Sequence, residues 1–314
     1  MKKRKSDLST DGTFFSFIVA SLKGVSQVVL IENAVTGVAI LLAITISNFV
    51  LGIIAFLSAI IGTLIGKIGG ADKKSVNQGL FGYNSVLTGI ALTVYLNGPY
   101  QWIVALIGSA VAAILTATLM HMMKKTEIPI LTLPFFILTW FILLASYRLE
   151  AFHLSTNLAP QSLANWTLNI SGKVNWMEGS FKGIGQIFFL DNTLSGIILF
   201  IAIFLAGWKF GLYAILGNVA SLLISYGLGG EHQLIFMGLY GYNAILATLA
   251  VSVVFNSDNQ GFPPLTGIVA ACLTVPFMAG LSTLLLPYGL PSLTMPFVLS
   301  TWLILGARKV LPRI

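Results

Sequence analysis

The chain has 314 residues, 56% of them hydrophobic and only 9% charged, with a formal net charge of +7 and a mean hydropathy of +0.91. Soluble domains carry roughly 25% charged residues, so this chain cannot cover a water-facing surface and reads as an integral membrane protein. Its basic residues form no stripe with interleaved aromatics, which speaks against nucleic acid and leaves membrane topology and anionic lipid headgroups as their use.

Residues 1–13 form a basic tail that resembles the start of a signal peptide. The stretch that follows holds Lys23 and Gln27 and recurs later in the chain, so it is read as mature protein. Residues 14–31 are apolar but interrupted, and an acid–amide pair, Glu32-Asn33, follows them. That pattern predicts a re-entrant helix, entering and leaving on one side, which is tolerated only where it is buried in protein or lines a wet cavity. A spanning helix needs about 20 apolar residues. Five candidates follow at 34–48, 49–66, 76–96, 100–122 and 128–147.

A polar linker occupies 148–178. A second interrupted segment, 179–190, contains Lys182 and Gln186 and precedes Asp191-Asn192. Five more candidate spans lie at 193–207, 209–228, 235–255, 262–285 and 291–308. The lone cysteine, Cys272, sits in an apolar run and excludes an internal disulfide. The expected organisation is a first repeat at 14–147, an extracytoplasmic linker, and a second repeat at 179–314. Five spans per half turn the second half upside down relative to the first. With the N-terminus in the cytoplasm, 13 of the 17 Lys and Arg fall inside, from Lys2 through Lys67, Lys124 and Lys209 to Arg313. The positive-inside bias therefore predicts a multi-pass protein of the cell (inner) membrane with both termini cytoplasmic.

Three blocks repeat at long range. GVSQVVLIENAVTG at 24–37 returns as GIGQIFFLDNTLSG at 183–196, and GLFGYNSVLTGIALTV at 79–94 returns as GLYGYNAILATLAVSV at 238–253, both 159 positions on. LTLPFFILTW at 131–140 returns as LTMPFVLSTW at 293–302, 162 positions on. Two membrane halves of this kind enclose a site at their interface. Gln27 and Gln186 hold equivalent places, where a buried amide either bonds irregular backbone or meets a neutral polar solute. Glu32-Asn33 and Asp191-Asn192 either cap the next helix or act as intramembrane acids. Lys23 and Lys182 are expected at the interface or paired with those acids. Tyr83 and Tyr242 present aromatic faces that suit a flat solute, with Leu87 and Leu246 four residues on along the same helical face. Asn84 and Asn243 beside them fit tight packing or function equally. Thr132 and Thr294 precede prolines, and their hydroxyls either line a pore or bond their own backbone.

Taken together, these paired blocks resemble the urea transporter family, bacterial type. The resemblance rests most on IPILTLPF at 128–135 and LPSLTMPF at 290–297, and it covers about 20–310. It implies an all-α integral membrane fold: two inverted repeats of five transmembrane helices plus one re-entrant helix each, with the pore at the repeat interface. It further implies a homotrimer with one urea pore per protomer. In that frame Gln27 and Gln186 belong to an oxygen ladder accepting urea N–H groups, and Thr132 and Thr294 line the constriction. Tyr83, Leu87, Tyr242 and Leu246 form a flattened slot, Val28 and Ile187 add apolar wall, and Leu30 and Phe189 complete it. The family often has an aromatic at position 30, so Leu30 is a departure; tyrosine at 83 and 242, in place of the more usual phenylalanine, is another.

The expected function is facilitated diffusion of urea and its small analogues down their gradient. The alternative is a proton- or sodium-coupled carrier of a small neutral amide, working through Glu32 or Asp191. His121, His153 and His232 are too scattered for a paired-histidine ammonium pore, and no duplicated Asn-Pro-Ala marks a water channel. No catalytic triad, metal motif, phosphate loop or cofactor signature is found, so an enzyme is not expected.

Overall fold

The computed structural model describes residues 10–156, 158–256 and 262–311. Lys2, Lys3, Arg4, Lys5 and Arg313 lie outside the described residues, as does most of the basic tail. The described residues are helical apart from loops and one two-residue ladder. Seven helices precede the linker: α1 (Thr10–Ser26), α2 (Ala34–Ser47), α3 (Phe49–Ile68), α4 (Lys73–Asn77), α5 (Tyr83–Tyr95), α6 (Gln101–Met123) and α7 (Leu133–Ala145). Seven follow it in matching order: α8 (Trp176–Gly185), α9 (Thr193–Ala206), α10 (Trp208–Gly227), α11 (His232–Phe236), α12 (Gly241–Leu249), α13 (Pro263–Leu285) and α14 (Met295–Arg308).

Four of these regions are long and apolar enough to cross a membrane, at 49–68, 101–126, 208–227 and 263–288. The number rises to six if the bent pairs α1–α2 and α8–α9 each count as one span. Those pairs bend by 73° and 77° where the chain leaves the interrupted segments. The breaks are fixed by left-handed residues, Leu30 and Phe189, both at φ 61°. Each sits in a paired backbone closure: Leu30 N–H donates to Gln27 O (2.9 Å) and Ile31 N–H to Ser26 O (3.2 Å). Phe189 and Leu190 repeat this on Gln186 and Gly185, the bonding that ends a helix at a left-handed residue.

Four expected spans begin later than hydropathy suggests. The one read at 76–96 starts as a helix only at Tyr83, and that at 235–255 only at Gly241. In each, a short helix and a turn come first. The turn glycines, Gly79 and Gly238, have φ of 79° and 74°, and a Cβ on either would collide with the backbone of Gly24 or Gly183. α1 and α8 thus lie directly against these turns. The spans read at 128–147 and 291–308 start at Leu133 and Met295, because Leu131 (φ 50°) and Leu293 (φ 49°) are left-handed and turn the chain just before the helix. Such irregular backbone is sustained at membrane depth only inside protein. Leu131 and Leu293 are indeed 3% and 2% exposed.

One apolar core runs through both halves, joining Val25, Ile40 and Phe135 to Ile184, Phe188 and Phe297. α2 packs on α9, and Ser195 Oγ donates to Ala43 O across that contact (3.0 Å). The loops gather at two ends. At one, Lys309 reaches Thr126 O and Glu127 (3.3 Å), and Arg308 donates to Phe255 O (3.0 Å). At the other, Tyr147 OH donates to Tyr288 O (3.0 Å), and Leu96 pairs with Leu154 in the ladder. The linker also packs there, with Asn169 N–H on Glu231 (3.3 Å) and Gly172 O on His232 (2.7 Å).

Candidate functional site

Each end opens into a cavity. The linker-side cavity, about 830 Å³, is floored by Gln186, Ile187, Phe189, Tyr242, Leu293 and Thr294. The other cavity, about 740 Å³ and called tail-side after the C-terminal end of α14 beside it, reaches Gln27, Leu30, Tyr83 and Leu131 beside Arg308 and Lys309. Repeat-equivalent residues therefore floor opposite cavities.

The glutamines stand where the two interrupted segments tighten into a short 3₁₀ turn. Gln27 Nε2 donates to Gln78 O (3.0 Å) and Gln186 Nε2 to the equivalent carbonyl, Met237 O (3.2 Å). Gln186 Nε2 also donates to Asp191 Oδ1 (2.6 Å). These partners can only accept, which fixes the amide orientation. No donor among the described residues reaches either Oε1, so both carbonyl oxygens remain available at the cavity floors.

The acid–amide pairs divide their work. Asn33 Oδ1 accepts from Val35 N–H (2.8 Å) and Thr36 N–H (3.2 Å), and Asn192 Oδ1 from Leu194 N–H (2.8 Å). The asparagines are the helix caps and the acids are not. Glu32 pairs with Lys23 (2.8 Å) and accepts from Gln78 Nε2 (3.2 Å). Lys182 does not pair with Asp191, the second of its two expected places; it joins Glu178 one turn back (2.9 Å) and covers the Phe236 ring.

Tyr83 and Asn84 both serve one carbonyl. Tyr83 OH donates to Leu131 O at 2.7 Å and Asn84 Nδ2 at 3.4 Å. Tyr242 and Asn243 do the same to Leu293 O, at 2.6 and 3.2 Å. A carbonyl has two lone pairs, so both left-handed residues are held by saturated carbonyls. The next residues, Thr132 and Thr294, meet hydroxyl to hydroxyl at 2.6 Å, each 3% exposed. Neither bonds its own backbone. Two further bonds flank them: Trp140 Nε1 donates to Pro291 O and Trp302 Nε1 to Pro129 O, both at 2.8 Å.

Of the remaining expected site residues, Ile187 and Phe189 reach the linker-side cavity and Leu30 the tail-side one. Val28, Leu87 and Leu246 are almost fully buried and line neither, as does Thr132. Sequence reasoning passed over Tyr95. Its ring lies edge-on to Phe189 at 5.5 Å in the linker-side cavity, whereas its repeat equivalent, Val254, lines the tail-side cavity with Leu30. The two halves differ at this position, so matching blocks did not flag it. Trp140 and Trp302 stand in a matching block, but their bonds across the molecule were not legible there. The mouths also differ in charge. The linker-side cavity holds Asp191 and Glu231, while the tail-side one mixes Lys124, Arg308 and Lys309 with Glu32 and Glu127.

Long apolar helices, two sharply bent helix pairs and a cavity with polar groups on its floor at each end are the features of a multi-span membrane transport protein. The urea transporter family model matches residues 18–309, and the chain belongs to that family. It is 29% identical over 310 residues to urea transporter 1 of Ovis aries, a match covering 97% of this chain and 80% of the relative. Urea transporter 1 of Capra hircus matches at the same identity and coverage, and that of Mus musculus at 28%. The family is one of transporters rather than enzymes. These mammalian relatives correct the expectation of a bacterial-type member. The motifs behind that expectation concern the broken helices and their packing, which identify the family and carry nothing about its branches.

Proposed function

We propose that the chain is a channel for urea, passing it down its gradient through a slot between two inverted repeats. The observation that carries this reading is the orientation of the two glutamines. Their N–H groups are spent on protein acceptors, while their carbonyl oxygens stand free at the floors of cavities from opposite ends. Acceptors in that position replace water on the N–H edges of a planar, neutral solute, and an apolar surround disfavours ions. Thr132 and Thr294 stand at the constriction, with Tyr83, Leu87, Tyr242 and Leu246 as slot walls, Val28 and Ile187 beside them, and Leu30 and Phe189 at the entries. Matching helix order in the two halves supports repeats at 14–147 and 179–314, with ten passages in all. Half-length helices preceded by buried irregular chain then count as spans. In this reading both termini are cytoplasmic, and a homotrimer gives one pore per protomer.

The ion-coupled carrier keeps one foothold, Asp191, whose carboxylate is engaged by Gln186 rather than by a cation. Stopped-flow urea flux into proteoliposomes, with and without proton and sodium gradients, separates the two. The channel gives fast flux indifferent to those gradients and lost in Thr294→Val. Flux that needs a gradient makes the protein a carrier, and folded protein without urea flux removes the assignment.

A further inference from the structure

Three hydrogen bonds join the segments around Thr132 and Thr294, and the outer two are the same bond made twice. Trp140 lies eight residues past Thr132, about 12 Å along α7, and donates to Pro291, three residues before Thr294. Trp302 lies eight residues past Thr294 and donates to Pro129, three residues before Thr132. The two segments run antiparallel, tied at both ends, with the touching hydroxyls between the ties.

We infer that Trp140 and Trp302 are positioning residues that set how far Thr132 and Thr294 can part, and thereby which solutes cross. The inference rests on the urea-channel reading. At 2.6 Å the hydroxyl oxygens leave no room for a solute. Passage exchanges their mutual bond for two bonds to the solute, which requires the oxygens to separate by about 3 Å or more. Each threonine can move only as far as the two residues between it and a clamped proline carbonyl allow. The clamp therefore admits a planar molecule with hydrogen-bonding edges and resists one carrying extra methyl groups. The indole N–H supplies the tie, whereas the ring supplies packing, as in the 5.1 Å contact of Trp140 with Phe136.

The test is Trp140→Phe, Trp302→Phe and the double variant, reconstituted beside wild type, with urea and N-methylurea permeability measured on the same vesicles. Phenylalanine keeps an aromatic ring and deletes the donor. The expected result is a rise of about tenfold in the methylurea-to-urea ratio for the double variant, the order of discrimination exerted on one methyl group, with a smaller rise in each single. Trp102→Phe, on the exposed face of α6, should leave the ratio unchanged. An unchanged ratio in folded variants overturns the inference, and so does failure of all three variants to fold, which would make the indoles a folding brace. Wild-type vesicles passing neither solute would defeat the channel reading instead.

Discussion

Replacing each glutamine by leucine separates a solute contact from a structural one. Gln27→Leu removes one part-buried bond, to Gln78 O, worth about 1 kcal/mol of stability. Gln186→Leu removes the bond to Met237 O and the charge-assisted bond to Asp191. The second alone is worth roughly 1.5–3 kcal/mol when dry, but Asp191 is exposed and water recovers part of it. A total near 2 kcal/mol is expected, about twice the loss at Gln27. Transport obeys different arithmetic. Each variant deletes one acceptor of similar strength, and about 1 kcal/mol on the barrier is about a fivefold drop in rate. The two variants should therefore differ in thermal unfolding of the detergent-solubilised protein and agree in stopped-flow urea permeability per reconstituted protein. Flux within twofold of wild type in both variants would refute the acceptor reasoning. Flux loss that scales with destabilisation would show that the glutamines only brace the turn.

Gly79→Ala and Gly238→Ala each force a side chain into a left-handed turn against backbone; little folded protein should survive size-exclusion chromatography, and normal yield with unchanged unfolding would sink the packing argument. Asn33→Ala and Asn192→Ala each remove a helix cap and should cost about 1 kcal/mol, read as a lower unfolding temperature. Lys23→Ala breaks a partly exposed ion pair and should shift stability by less than about 1 kcal/mol; a larger loss would mean that Glu32 depends on Lys23 more than its geometry indicates.

The sequence exposed what polarity and duplication can expose. A lysine and a glutamine in each otherwise apolar run, with an acid–asparagine pair after it, made the two sharp bends legible as interruptions at 14–31 and 179–190. The helix starts at Tyr83, Leu133, Gly241 and Met295 were not, because the turns before them remain mostly apolar and hydropathy does not register φ. Leu131 and Leu293 show this most clearly: both are left-handed, and both are leucine. Of the two places expected for Lys182, the pairing with the following acid is not made: Asp191 is one methylene shorter than Glu32 and bonds Gln186, leaving the lysine to Glu178. The clamp tryptophans were visible as residues, but the carbonyls they bind lie 151 and 173 positions away.

The two mouths are unequal copies, with Phe189 and Tyr95 at one and Leu30 and Val254 at the other. As the channel proposed above, the protein is a passive path with no energy source and cannot favour one direction at equal concentrations, however lopsided its walls. It can still fill at different concentrations from its two sides, because a flat solute dwells longer against aromatic rings than against branched aliphatics. The ratio of maximal rate to half-saturation must nonetheless match in both directions. On that reading duplication built a symmetric frame, and divergence at positions 30, 95, 189 and 254 gave it a front and a back.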